Sequence, residues 1–223
     1  MIGKLLSGAI KLYLRSQVEQ VEALEVKIAG KNKQILQGHI PQVFLGCDRA
    51  IYQGLHLSQI ELKGSNIAVN LPEVIKQQPL RLIEPILVEI KLRLDAEDLK
   101  ASLESNLLQS GLKDLWQMIL AERNSEDLVN SEVTWDDIAI AERELNLTGS
   151  YRDASGIYQL NLSTGIELAN EHTLRLSPLD IASDLINIKG SQLEIDLGTD
   201  IKIAKLTIES EYIVCTGNIK VNN

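Results

Sequence analysis

Apolar and polar residues alternate along most of the chain, and the interruptions divide it into elements. Leu24, Val26 and Ile28 alternate with polar neighbours, which predicts a half-buried strand past Gln20. GKNK (Gly30–Lys33) reads as a turn, and a second strand region runs from about Ile35 to Cys47, with Pro41 marking an edge or bulge. In GLHLSQIELKGSNIAVNL (Gly54–Leu71), Leu55, Leu57, Ile60 and Leu62 precede a KGSN turn, and Ile67 and Val69 follow it. The step from Leu57 to Ile60 shifts the alternation and predicts a bulge. PLRLIEP reads as a connection and a short strand. In ILVEIKLRL (Ile86–Leu94), Ile86, Val88, Ile90, Leu92 and Leu94 point one way and Glu89, Lys91 and Arg93 the other. Such a sheet has one apolar and one wet face, as antiparallel sheets covering something on one side do.

After Asp95, a possible N-cap, the period becomes helical: Leu99, Leu103, Leu107 and Leu108 form one stripe, and Leu112, Leu115, Trp116, Ile119 and Leu120 another. Ser110-Gly111 predicts a kink or split in this helix. From Val133 onward alternation returns and persists, with loops expected at Asn124–Ser131 and Tyr151–Gly156. A Gly-Ser pair recurs between alternating runs, in IELKGSNIAVN (Ile60–Asn70), INIKGSQLEID (Ile186–Asp196) and LNLTGSY (Leu145–Tyr151). It suits a two-residue hairpin whose first loop position needs a positive φ. Either one good turn arose repeatedly or a segment was duplicated. The expected architecture is α+β: a curved antiparallel β-sheet wrapped around a central helix or helical hairpin, with an N-terminal amphipathic helix. Without a Gly/Ser/Pro linker, residues 21–223 read as one domain behind a helix at 1–20.

Charge sets the first residues apart. The chain has 22 basic and 31 acidic residues, a net −9, which disfavours nucleic acid as a partner. MIGKLLSGAIKLYLRS carries Lys4, Lys11 and Arg15 and no acid. It lacks a signal peptide's uninterrupted apolar stretch and cleavage site, so the expected location is cytoplasmic or peripheral to a membrane. Ile2, Leu6, Ala9, Ile10, Tyr13 and Val18 share a helical face. Such a helix packs on the domain, or it lies on a membrane with its cations toward anionic headgroups.

Candidate chemistry is sparse. There is no GxSxG elbow, P-loop or GxGxxG motif, and His39, His56 and His172 are separated. Asp136-Asp137 and Glu142/Glu144 are the closest carboxylate groupings, and a solvated acidic face accounts for them. Cys47 and Cys215, far apart and outside any metal-ligand spacing, read as small buried hydrophobes, with a single long-range bridge left open. No catalytic residue, metal or cofactor is expected. Aromatics make up only 4%, so the apolar mass is aliphatic.

Three stretches resemble the LmeA-like phospholipid-binding family: the closing run Leu193–Val221, with Glu194–Gly198 leading to GNIKV; Gly54–Val69; and the strand-to-helix join Val88–Ser105. That family is similar to the tubular lipid-binding group, and the resemblance implies a curved sheet around a long helix with an apolar groove for acyl chains. The function expected is non-catalytic binding of phospholipid or another acyl lipid at a membrane surface. Candidate groove residues are Val88, Ile90 and Leu92 on the strand and Leu99, Leu103, Leu107, Leu112, Trp116 and Ile119 on the helix, with Lys4, Lys11 and Arg15 as membrane contacts. The alternative is a β-rich scaffold with a solid core that binds a protein partner.

Overall fold

A computed structural model describes residues 7, 8, 10–12, 14, 15, 18–74, 81–122, 132–141, 143–152, 156–184 and 187–222. Antiparallel β-structure dominates, in two open sheets rather than the single sheet expected. The first is ordered β1(Gln20–Ala29)-β2(His39–Tyr52)-β3(Leu55–Ala68)-β4(Ile86–Asp95)-β11(Tyr212–Val221)-β10(Ile201–Ile208). The second is a meander of β5(Glu132–Ala141), β6(Glu144–Arg152), β7(Ile157–Asn170), β8(Thr173–Ser183) and β9(Asn187–Asp196). The chain leaves the first sheet after β4, crosses through helices, builds the second by consecutive hairpins, and returns so that β11 pairs with β4.

The crossing comprises α3(Ala96–Ala101), a short 3-10 turn at Ser102–Glu104 and α4(Asn106–Glu122); α1(Asn32–Leu36) and α2(Leu71–Val74) are single turns near the first sheet. The helical run breaks at Ser105, not at Ser110-Gly111. Ser105 is extended (ψ 140°), and its Oγ accepts the Leu108 N–H at 3.1 Å, restarting the helix as an N-cap does. α4 then runs straight through Gly111. Hydroxyls bond the end of β4 to β3 and fasten the crossing to the start of β3. Asp95 N–H donates to Ser58 Oγ (2.7 Å), His56 N–H donates to Ser102 Oγ (2.8 Å), and that hydroxyl donates to the Asp98 carbonyl (2.7 Å).

The Gly-Ser pairs are not hairpin turns. Each lies inside a continuous strand: β3 pairs with β2 on both sides of Gly64, while TGS sits within β6 and KGS within β9. Asn66 (φ 54°) and Gly190 (φ 61°) absorb the local twist that a turn was expected to make. The bulge expected between Leu57 and Ile60 is not there: β2 and β3 keep one register from Cys47–Ile60 to Ala50–Leu57, and Arg49 (φ 46°) is the irregular residue opposite this step. His172 lies in the turn between β7 and β8, and Arg81–Pro85 carries only an isolated bridge, Val69 to Leu82.

The main core lies between α4 and one face of the second sheet. Leu112, Trp116, Ile119 and Leu120 pack with Leu99 and Leu103 against Trp135, Leu147, Tyr151, Leu160, Leu162 and Ile181. Trp116 meets Trp135 edge-on at 6.5 Å and stacks on Tyr151 at 6.4 Å, and Tyr151 stacks on Tyr158 at 5.2 Å. Half of a small aromatic complement is thus spent on this one contact. Two lesser clusters flank the first sheet: Ile35, Ile40, Ile67, Val69 and Leu71 in one, Leu24, Val26, Cys47 and Ala50 in the other. Trp116→Ala is expected to destabilise by about 3–5 kcal/mol in denaturant titration. Gly111→Ala tests the continuity of α4: a Cβ there meets nothing within 4 Å, so stability should rise by about 1 kcal/mol, whereas a kinked helix would lose stability.

Candidate functional site

Pairing rows across the first sheet decide which residues share its faces. One row runs Val26–Leu45–Leu62–Ile90–Gly217–Ile203. The next same-face rows are Cys47–Ile60–Leu92–Cys215–Leu206 and Ile28–Val43–Gly64–Val88–Ile219–Ile201. This face is aliphatic from edge to edge. Gly217 is the gap in its middle row, because a Cβ there would run into the Lys202 carbonyl of the bulged neighbour β10.

Only part of this face has a packing partner. Ser7, Gly8, Ile10–Leu12, Leu14 and Arg15 are helical, and Ile10 and Leu14 pack over Leu24, Val26, Cys47 and Ala50 on β1 and β2. Beneath that cover, Leu14, Val18, Leu45, Leu57, Ile60 and Leu62 help enclose a cavity of about 230 Å³ with an apolar wall. That volume is below an ordinary ligand pocket. It continues, however, into open face: Leu62, Val88, Ile90, Leu92, Cys215, Ile203 and Ile219 are partly buried, and none belongs to the three packed clusters.

The reverse face is ionic. Lys63 pairs with Glu89 (2.9 Å), Lys91 with Glu61 (3.5 Å) and Lys27 with Glu25 (2.8 Å). A hollow of about 550 Å³ lies over these charges. Although it is larger than the apolar cavity, its cations and carboxylates are matched with each other and exposed, so it offers nothing to a hydrocarbon. Surface pairs of this kind contribute about 0–1 kcal/mol each.

The structure separates the nine candidate groove residues. Val88, Ile90 and Leu92 come together on the open aliphatic face. Leu99, Leu103, Leu112, Trp116 and Ile119 sit in the packed core against the second sheet, and Leu107 is 40% exposed. Leu45, Leu62 and Cys215, which the sequence reading did not single out, share the face with the β4 trio. Leu45 and Leu62 were legible as alternating strand positions, but their register with Ile90 was not. Of the candidate membrane contacts, Arg15 is exposed, Lys11 is half-buried and Lys4 lies outside the described residues.

Both cysteines are free. They stand in one pairing row with two strands between them, about 14 Å apart at the usual strand spacing, too far for a disulfide. Burial pushes both thiols up from their ordinary value, with Asp48 adding to the effect at Cys47. Of the acidic groupings, Glu142 lies outside the described residues. Asp137 is held below the usual carboxylate range by the hydrogen bond and charge of Lys100 at 2.8 Å, and Glu144 accepts the Ser163 hydroxyl (2.6 Å). Among the described residues, no group of His, Cys, Asp and Glu side chains is arranged to hold a metal ion, and no helix is long and apolar enough to cross a membrane.

No curated protein and no solved structure matches the chain. The profile of the LmeA-like phospholipid-binding family matches it over residues 1–218. An alignment that extends from the first residue into β11 takes in both sheets and the crossing helices, and the chain belongs to the LmeA-like phospholipid-binding family.

Proposed function

We propose that the chain is a non-catalytic carrier that holds phospholipid acyl chains on the aliphatic face of the first sheet and works at a membrane surface. The observation that carries this reading is the run of Leu62, Val88, Ile90, Leu92 and Cys215, which lies beyond the three packed clusters in a family that binds phospholipid. The expected curved wall around a central helix takes a modified form here. The crossing helix serves the second sheet, and the N-terminal segment is the helix laid over the binding face. Val88, Ile90 and Leu92 line the lipid, while Leu99, Leu103, Leu112, Trp116 and Ile119 stiffen the support behind it.

The energetics are adequate. Burying a chain of about 16 carbons at about 0.8 kcal/mol per CH₂ gives at most roughly 13 kcal/mol, and even half of that retains a lipid. Aliphatic residues suit this task because a flexible hydrocarbon needs no fixed stacking geometry. Lys4, Lys11 and Arg15 face anionic headgroups in this reading, each adding about 1 kcal/mol when close to the surface.

Native mass spectrometry of gently purified protein should find bound phospholipid. Ile90→Glu and Leu62→Glu should lose it with little change in unfolding midpoint, since neither side chain belongs to a packed cluster. Retention of lipid by both variants would contradict the assignment and favour a scaffold with a solid core. Bound lipid should also slow alkylation of Cys215 at alkaline pH, and delipidation should restore the rate, with Cys47 slow in both states. For the N-terminal contacts, Lys11→Glu combined with Arg15→Glu should weaken binding to anionic vesicles by about thirtyfold or more, and unchanged binding would remove these residues from the membrane surface.

A further inference from the structure

At one end of the first sheet, buried apolar residues are each followed by an exposed one. Ile35 is buried and Leu36 exposed; Leu82 is packed and Ile83 exposed; Ile86 is packed and Leu87 exposed. Ile35, Leu82 and Ile86 belong to the same small cluster, so their outward neighbours lie at the same end of the sheet. The backbone ties these segments together. Val69 N–H donates to the Gly38 carbonyl (2.8 Å), Ile83 N–H donates to the Ala68 carbonyl (2.8 Å), and Ile86 pairs with Val221. Leu36, Ile83, Leu87 and Val221 are 47%, 62%, 57% and 38% exposed. Four large aliphatic side chains at one tip exceed the scattered exposure normal on a soluble surface.

Charge is distributed unevenly between the two ends of the sheet. At the apolar tip, Lys31, Lys33, Arg81 and Lys220 stand against Glu73, Glu84 and Asp200. At the other end, Glu19, Glu22, Asp48, Asp95, Glu97, Asp98 and Glu211 outnumber Arg15, Arg49, Arg93 and Lys100. In a chain of net charge −9, the tip is therefore the end that an anionic surface repels least. The corner from Ala29 to Gln42 contains Lys31 and Lys33 and no acid. An aliphatic knob rimmed with lysines suits the boundary between headgroups and acyl chains, where the apolar part enters and the cations meet phosphate.

We propose that this tip is a docking point for an anionic lipid bilayer, with Leu36, Ile83 and Leu87 inserted and Lys31, Lys33 and Arg81 at the headgroups. The inference rests on the reading of the aliphatic face as a lipid site and gives it a direction. On that face the pair Ile86–Val221 lies at the tip and the row Ile28–Val43–Gly64–Val88–Ile219–Ile201 is the next, so a chain leaving the bilayer here passes Ile86, then Val88 and then Ile90.

The test places single tryptophans, because the native Trp116 and Trp135 are buried in the core and contribute a constant background. Ile83→Trp and Leu87→Trp should shift their emission to the blue on vesicles of phosphatidylglycerol and phosphatidylcholine. Ile157→Trp, at an equally exposed site on β7, should not shift. The triple variant Leu36→Asp/Ile83→Asp/Leu87→Asp should lose about tenfold or more in binding to those vesicles while keeping the lipid found by native mass spectrometry. No shift at residues 83 and 87, or an equal shift at 157, would overturn the docking assignment. So would a triple variant that leaves vesicle binding intact but converts a dimer into a monomer, which would assign the tip to a second copy. Lipid content read on the same samples reports separately on the aliphatic face.

Discussion

A β-sheet with one aliphatic face must have that face covered, and this chain has two such faces and one long helix to cover them. α4 is committed to the second sheet, where Trp116 closes against Trp135 and Tyr151. The first sheet is covered over β1 and β2 by the residues around Ile10 and Leu14, at one end by the cluster of Ile35, Ile40, Ile67, Val69 and Leu71, and at the other end where Ile208 and Ile213 join the main core. The shortfall falls on β3, β4 and β11, where aliphatic rows remain partly open. A protein fold tolerates such exposure when another molecule supplies the missing contact. A lipid supplies it without directional hydrogen bonds, which fits a face that has almost no polar atoms apart from its backbone.

The two sheets therefore divide the work. The second is a rigid block, with aromatic stacking and a buried aliphatic interior. The first is a platform whose reverse side is held in solvent by paired charges such as Lys63–Glu89 and Lys91–Glu61. Within the first sheet Ser58 of β3 accepts the Asp95 N–H at the end of β4, and Ser102 of the crossing accepts the His56 N–H at the start of β3. The Ser102 link fixes the crossing helices against the platform, and the main core reaches the platform at Ile208 and Ile213.

Much of this was legible in the sequence, and what was not has identifiable causes. Period-two alternation placed β1, β4 and most strands after Val133, because side chains on a half-buried strand must alternate. Sequence could not tell which sheet the helix would cover. Leu99, Leu103 and Trp116 make an apolar stripe that any aliphatic face would accept, and only three-dimensional closure selects the second sheet. The Gly-Ser pairs misled for a related reason. A positive φ serves a hairpin or a bulge equally well, and whether pairing continues past it depends on a partner strand far away, such as β2 opposite Gly64. The helix break was misplaced because the Ser105 cap outweighs the weak propensity of Gly111. The tip at Leu36, Ile83 and Leu87 was invisible for a simpler reason. Its members lie far apart in the chain and meet only through strand register.

The central claim is that hydrocarbon occupies the open face of the first sheet. The most direct measurement is photo-crosslinking with a phospholipid bearing a diazirine in its acyl chain, followed by peptide mapping. The account expects adducts on β3, β4 and β11, concentrated around Leu62, Ile90, Leu92 and Cys215. Adducts confined to α4 and the second sheet, or spread evenly over the surface, would contradict it.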